Sequence, residues 1–138
     1  GAALSDIIKD TGKYPGTKLF GNTHLVTDGD LLAGTGWTTD PLVTGNLSFH
    51  LLINDPNEDG PDNPPNDYST GGRRRWKGPY LQALDEDPWG NAYQINATTL
   101  VGGNTTPTWV ISAGVDGIIQ TSSGDTVLAG DDVGVRIK

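Results

Sequence analysis

Four aspartates, Asp116, Asp125, Asp131 and Asp132, lie between Trp109 and Lys138, where only Arg136 and Lys138 oppose them. Carboxylate oxygens set among Gly, Ser and Thr suit a hard divalent cation, since calcium takes about six to eight oxygens from carboxylates and carbonyls. Asp116-Gly117 follows the strand-like "WVIS", and Gly130-Asp131-Asp132 precedes "VGVRI", so one loop offers carboxylates from both its ends. A bound ion would cancel their mutual repulsion and fix a stretch almost without apolar anchors. The bland alternative is a solvated acidic loop, the commoner fate of scattered aspartates.

A second acidic stretch, "DPNEDGPDNPPND" over 55–67, opens with Asp55, Asn57, Asp59 and Gly60, the first half of an EF-hand-type loop. The twelfth position holds Asn66 in place of Glu, and Pro61, Pro64 and Pro65 forbid an exiting helix. Asp55, Asn57 and Asp59 are therefore the weaker second metal site, and a solvated loop is the favoured reading. There is no Cys, hence no disulfide, thiolate zinc site or Cys nucleophile. His24 and His50 have no neighbours in sequence that build a zinc or Ser-His-Asp site. Net charge is −8, from 17 acidic and 9 basic residues, which argues against nucleic acid. No nucleophile, acid and base stand in a defined constellation, so no enzyme is expected. A hydrolase would have to use Asp85, Glu86 or Asp87.

These loops need a scaffold, and 138 residues with 20 Gly and 9 Pro suffice for one loop-rich domain. Leu4, Ile7 and Ile8 share a helical face over Ala3 to Lys9, and Gly12 is the expected stop. Asp40 and Pro41 predict the start of a second helix running to about Asn54, although Gly45-Asn46 weakens it. No element is assigned within 17–40. Ala92 to Asn96 and Thr108 to Ser112 alternate as strands, joined by a hairpin-like linker with Gly102-Gly103-Asn104 at its tip. Ile118 to Thr121 and Val133 to Ile137 are further strand candidates. The fold class is α+β, a helix packed on a small antiparallel sheet. No run is long and apolar enough to cross a bilayer.

"GKYP" (12–15), "KGPYL" (77–81), "DPWGNAYQI" (87–95) and "ISAGVDG" (111–117) occur in this order. The series resembles the major pseudopilin of type II secretion systems and, more broadly, type IV pilin-like filament subunits. The resemblance is specific over Lys77 to Gly117 and loose between Thr17 and Trp76. It implies a single pilin-like globular domain over 1–138: the end of an N-terminal helix and a turn (1–16), a variable region (17–76), then a sheet and calcium loop (77–138). It implies structural calcium at Asp116, Asp131 and Asp132, with Asp125 a poorer match and Ser112 adding an oxygen. The implied partners are copies of the chain, other pseudopilins or pilins and an inner-membrane assembly platform. The implied place is the periplasm or cell surface, anchored in the inner membrane before assembly by a hydrophobic N-terminal helix, expected either upstream of Gly1 or on a separate short chain. Within a filament, the basic cluster Arg73-Arg74-Arg75-Trp76-Lys77 is expected to meet acidic surface on a neighbouring subunit, such as its 55–67 loop. The rival is a calcium-dependent carbohydrate-binding or adhesive module, with Trp37, Trp76, Trp89 or Trp109 as sugar platforms.

Overall fold

The computed structural model describes residues 2–16, 22–58, 67–101 and 103–137, the side chain of Ala2 excepted. The first helix forms as α1 (Ala2–Thr11), with Leu4 and Ile7 buried and Ser5 and Asp6 exposed on the opposite face. Gly12 ends it as expected: at φ 69° it donates its N–H to the Ile8 carbonyl at 2.8 Å, the left-handed stop that glycine adopts without a Cβ penalty.

Five short strands form one sheet: β1 (His24–Val26), β2 (Thr44–Asn46), β3 (Gln94–Asn96), β4 (Trp109–Ser112) and β5 (Val133–Arg136), in the order β2-β1-β3-β4-β5. β3, β4 and β5 fall where alternation predicts them. The architecture is α+β, but the sheet is mixed, because β2 runs parallel to β1 while the other pairs are antiparallel.

The predicted helix from Pro41 to Asn54 does not form; only α2 (Ser48–Leu51) is helical. Asp40 does cap, but it closes a tight turn by accepting the Leu42 N–H at 2.9 Å. Gly45 then lies so close to the Asn22 side chain that a Cβ would overlap it, and this close approach lets β2 pair with β1. Asn46 Oδ1 accepts the Ser48 N–H and starts α2 after the strand. Ile118 to Thr121 is likewise no strand. Carboxylates, not a neighbouring strand, take the N–H groups of Ile118, Gln120 and Thr121.

Alternation along β4 divides the interior into two layers. Val110 faces a core of Leu4, Ile7, Leu25, Leu47, Leu51 and Ile95 beneath α1 and α2. Trp109 and Ile111 face the other way, toward Trp37, Ala113 and Ile119 from the loops. Helices thus cover one face of the sheet and the long loops cover the other. No helix among the described residues is long and apolar enough to cross a membrane.

Candidate functional site

"DPWGNAYQI" and "ISAGVDG" become one physical unit at the end of the sheet where β4 finishes. In "DPWGN" the buried Asp87 accepts the N–H groups of Trp89 and Asn91 at 2.9 Å each and closes the turn. Its second oxygen receives the Ser112 hydroxyl at 2.7 Å, and Ser112 Oγ in turn accepts the Gly114 N–H. The Ser112 hydroxyl is thus engaged with Asp87, which ties this turn to the start of "AGVDG". Trp89 is 47% exposed and stands outside both cores. Sequence reasoning missed the anchoring role of Asp87; its signal was Asp two residues before a turn N–H, the Asx-turn spacing.

Beyond β4 the chain doubles back against residue 131. Gly114, at φ 73°, lies where a Cβ would overlap the Asp131 carbonyl oxygen, so only glycine lets the two ends of the loop meet. Asp116 is exposed and accepts the Ile118 N–H and the Gln120 side-chain amide. The Ile118 N–H first, then Gln120, hold its carboxyl below the usual carboxylate range, and the Asp131 carboxyl lies within hydrogen-bonding reach of it.

Asp132 is the inward member of the set. It is 7% exposed, and its Oδ2 accepts the N–H groups of Gln120 at 2.9 Å and Thr121 at 2.6 Å. Its Oδ1 is buried with no hydrogen-bond partner. A carboxylate oxygen left so is costly unless a cation or proton answers it. Asp125 lies apart from these three. Its carboxylate closes a turn on the Ser122 N–H, and its carbonyl receives the Trp109 indole N–H at 2.7 Å. Among the described residues no three His, Asp or Glu side chains cluster closely enough to cage a metal alone. A cation here would need carbonyl or amide oxygens as well.

Of the second acidic stretch, Asp55 is buried and Asn57 half-buried, while Asp59 lies outside the described residues, as do 60–66. His50 is fully buried. Its Nδ1 pairs with the Tyr68 hydroxyl at 2.7 Å, and burial lowers its pKa to about 3. His24 bonds Gly36 O and Thr23 Oγ1, an ordinary half-buried arrangement. Trp37 and Trp109 are core residues whose indole N–H groups end on carbonyls, and Trp76 packs edge-on against Tyr80 with its N–H on His50 O. Only Trp89 offers an open indole face.

No curated protein and no solved structure matches the chain. The family model of type II secretion system protein G matches residues 53–129, more than half of the chain, and spans "KGPYL", "DPWGN", "ISAGVDG" and the loop beyond. That family is structural rather than enzymatic. The chain therefore belongs to the type II secretion system protein G family, the major pseudopilins.

Proposed function

We propose that this pseudopilin polymerises with copies of itself and with other pseudopilins into a periplasmic secretion filament, and that calcium orders residues 113–132 for that assembly. The protein performs no chemistry; it acts as a piston or scaffold. An N-terminal hydrophobic segment anchors it in the inner membrane before assembly.

One observation carries the calcium reading: the buried, unpartnered Oδ1 of Asp132. It belongs to a loop that also carries the exposed Asp116 and Asp131. A divalent cation there would answer the orphaned oxygen and draw its other ligands from the carboxylates beside it. Asp116, Asp131 and Asp132 would supply carboxylates, and backbone carbonyls of the loop the rest. Calcium would supply only charge neutralisation and rigidity. Asp125 and Ser112 already have other partners for the groups that would have been offered, and their part in the site is correspondingly smaller.

The test is the melting temperature in excess chelator, then in millimolar calcium, with magnesium as control. Binding to the folded state alone adds about 2.7 kcal/mol when free ligand exceeds Kd by about a hundredfold. A calcium-selective rise supports the reading. Equal melting in all three conditions overturns it, and leaves the filament role to be judged by whether the chain enters sheared filaments of a type II system.

A further inference from the structure

The basic side chains of this molecule are gathered toward one end of the sheet. Strand register defines the two ends: one carries the start of β1 and the end of β5, the other the end of β1, the start of β3 and the end of β4. Every Lys and Arg among the described residues lies toward the first end. Lys9 is in the last turn of α1, and Lys13 follows Gly12. Arg74 packs its guanidinium against Gly12, and Lys77 reaches Asp10 at 3.7 Å. Arg73 and Arg75 flank Arg74 beside Lys77, and Arg136 closes β5.

Arg73, Arg74 and Arg75 are exposed, and none has an ion-pair partner among the described residues, although the chain has 17 acidic side chains. Their position is nonetheless fixed. Trp76 is pinned by its indole N–H on His50 O, its backbone N–H on Ser69 O and its contact with Tyr80. Tyr80 in turn holds the Lys77 N–H and donates to Asp10. Three exposed guanidinium groups with no ion-pair partner among the described residues, beside a Lys77 already answered by Asp10, are free to receive carboxylates from outside.

The opposite end supplies them. Asp28 and Asp30 follow β1, and Asp85 and Glu86 precede the "DPWGN" turn, all four exposed and outside the proposed calcium loop. We infer that the arginine end of one copy docks head to tail on the acidic end of the next. The interface is heterologous, and a repeated heterologous contact that does not close makes an open filament. The inference rests on the filament reading and adds to it which surfaces meet. A net charge of −8 opposes association at long range, but at about 0.1 M salt the Debye length is about 10 Å, so only apposed ends feel each other strongly.

Because the chain has no Cys, disulfide trapping is clean. Arg74→Cys and Asp30→Cys chains are mixed and oxidised, with Arg75→Cys and Glu86→Cys as a second pair if either first variant loses its folded circular dichroism. The mixed dimer is expected to exceed both homodimers, and its yield to fall about tenfold between roughly 0.02 and 0.5 M salt. The chain carrying Arg73→Glu, Arg74→Glu and Arg75→Glu should lose self-association, and regain it only with a partner carrying Asp30→Lys and Glu86→Lys. Homodimers in excess, salt-independent trapping or no rescue by the reversed pair would overturn the inference. So would salt-sensitive binding of the arginine end to anionic lipid vesicles without any mixed dimer. If the chain enters sheared filaments yet the pairs do not crosslink there, the contact is wrong and the filament role stands. If it enters none, both fall.

Discussion

Because Oδ2 of Asp132 receives the N–H groups of Gln120 and Thr121 inside the protein, its removal has a cost independent of any cation. Asp132→Ala should destabilise the chain by about 1–3 kcal/mol in chelator, through the two donors it strands, and lose the calcium increment as well. Asp116 is exposed, so Asp116→Ala should melt like the parent in chelator and fall short of it only in calcium. Paired melts of the two variants check this, and an Asp132→Ala chain as stable as the parent in chelator would contradict the geometry. His50 makes a second residue-level case. Its folded pKa of about 3 lies below the ordinary 6.5, so the unfolded chain takes up the proton first. The stability this neutral imidazole secures is complete above pH 6.5 and is lost as pH falls toward 3, at up to about 1.4 kcal/mol per pH unit. His50→Gln should therefore be less stable than the parent at pH 7 but show a flatter decline between pH 6 and 4, measured by urea unfolding. Parallel curves would mean that carboxylates alone set the acid limit.

At the scale of elements, the terminal loop depends on one glycine more than on its neighbours. Gly90 and Gly114 both have positive φ, 84° and 73°, but nothing surrounds the missing Cβ of Gly90, while that of Gly114 would overlap the Asp131 carbonyl. Gly90→Ala should cost only about 1 kcal/mol of conformational strain. Gly114→Ala adds a backbone clash and should cost clearly more, and it should also abolish any calcium increment, because the loop ends can no longer meet. Urea midpoints with and without calcium measure both. The same elements show why the sequence was readable in some places only. α1 announces itself by Leu4, Ile7 and Gly12, and β4 by alternating Trp109 and Ile111. β2 is Thr-Gly-Asn, in which two of the three residues are depleted in strands, and it is held by the parallel hydrogen bonds that β1 offers. Pro41 to Asn54 carries enough leucine to mimic a helix, yet Gly45 is there for close approach to Asn22. In Ile118 to Thr121, alternation was real and its hydrogen bonds went to Asp116 and Asp132, partners that no local pattern reveals.

Across the whole molecule, the sheet separates two interiors of unequal security. The helix-side core joins α1 and α2 to β1 and β3 through Leu4, Ile7, Leu51, Leu25 and Ile95, whereas the loop-side core of Trp37, Trp109, Ile111 and Ile119 is closed by segments with little regular structure. The metal candidates were legible in sequence as a set of aspartates; which of them turns inward was not, because Asp132 is drawn in by the N–H groups of Gln120 and Thr121, eleven and more residues away. The loop-side layer hangs on side-chain acceptors: Asp132 for Gln120 and Thr121, Thr121 Oγ1 for Ala129, and the Thr121 carbonyl for the Trp37 indole. If calcium joins Asp132, it tightens this layer first, since local opening draws on the local bonds rather than on the global stability. Amide exchange should therefore slow at Gln120, Thr121 and Ala129 on adding calcium, while the amides of Leu25 and Ile95 exchange as before. Equal slowing in both layers would show that the sheet transmits the loop's stability to the helices and that the molecule opens as one unit. No slowing anywhere would remove the cation from the loop and leave Asp132 as a purely internal clasp.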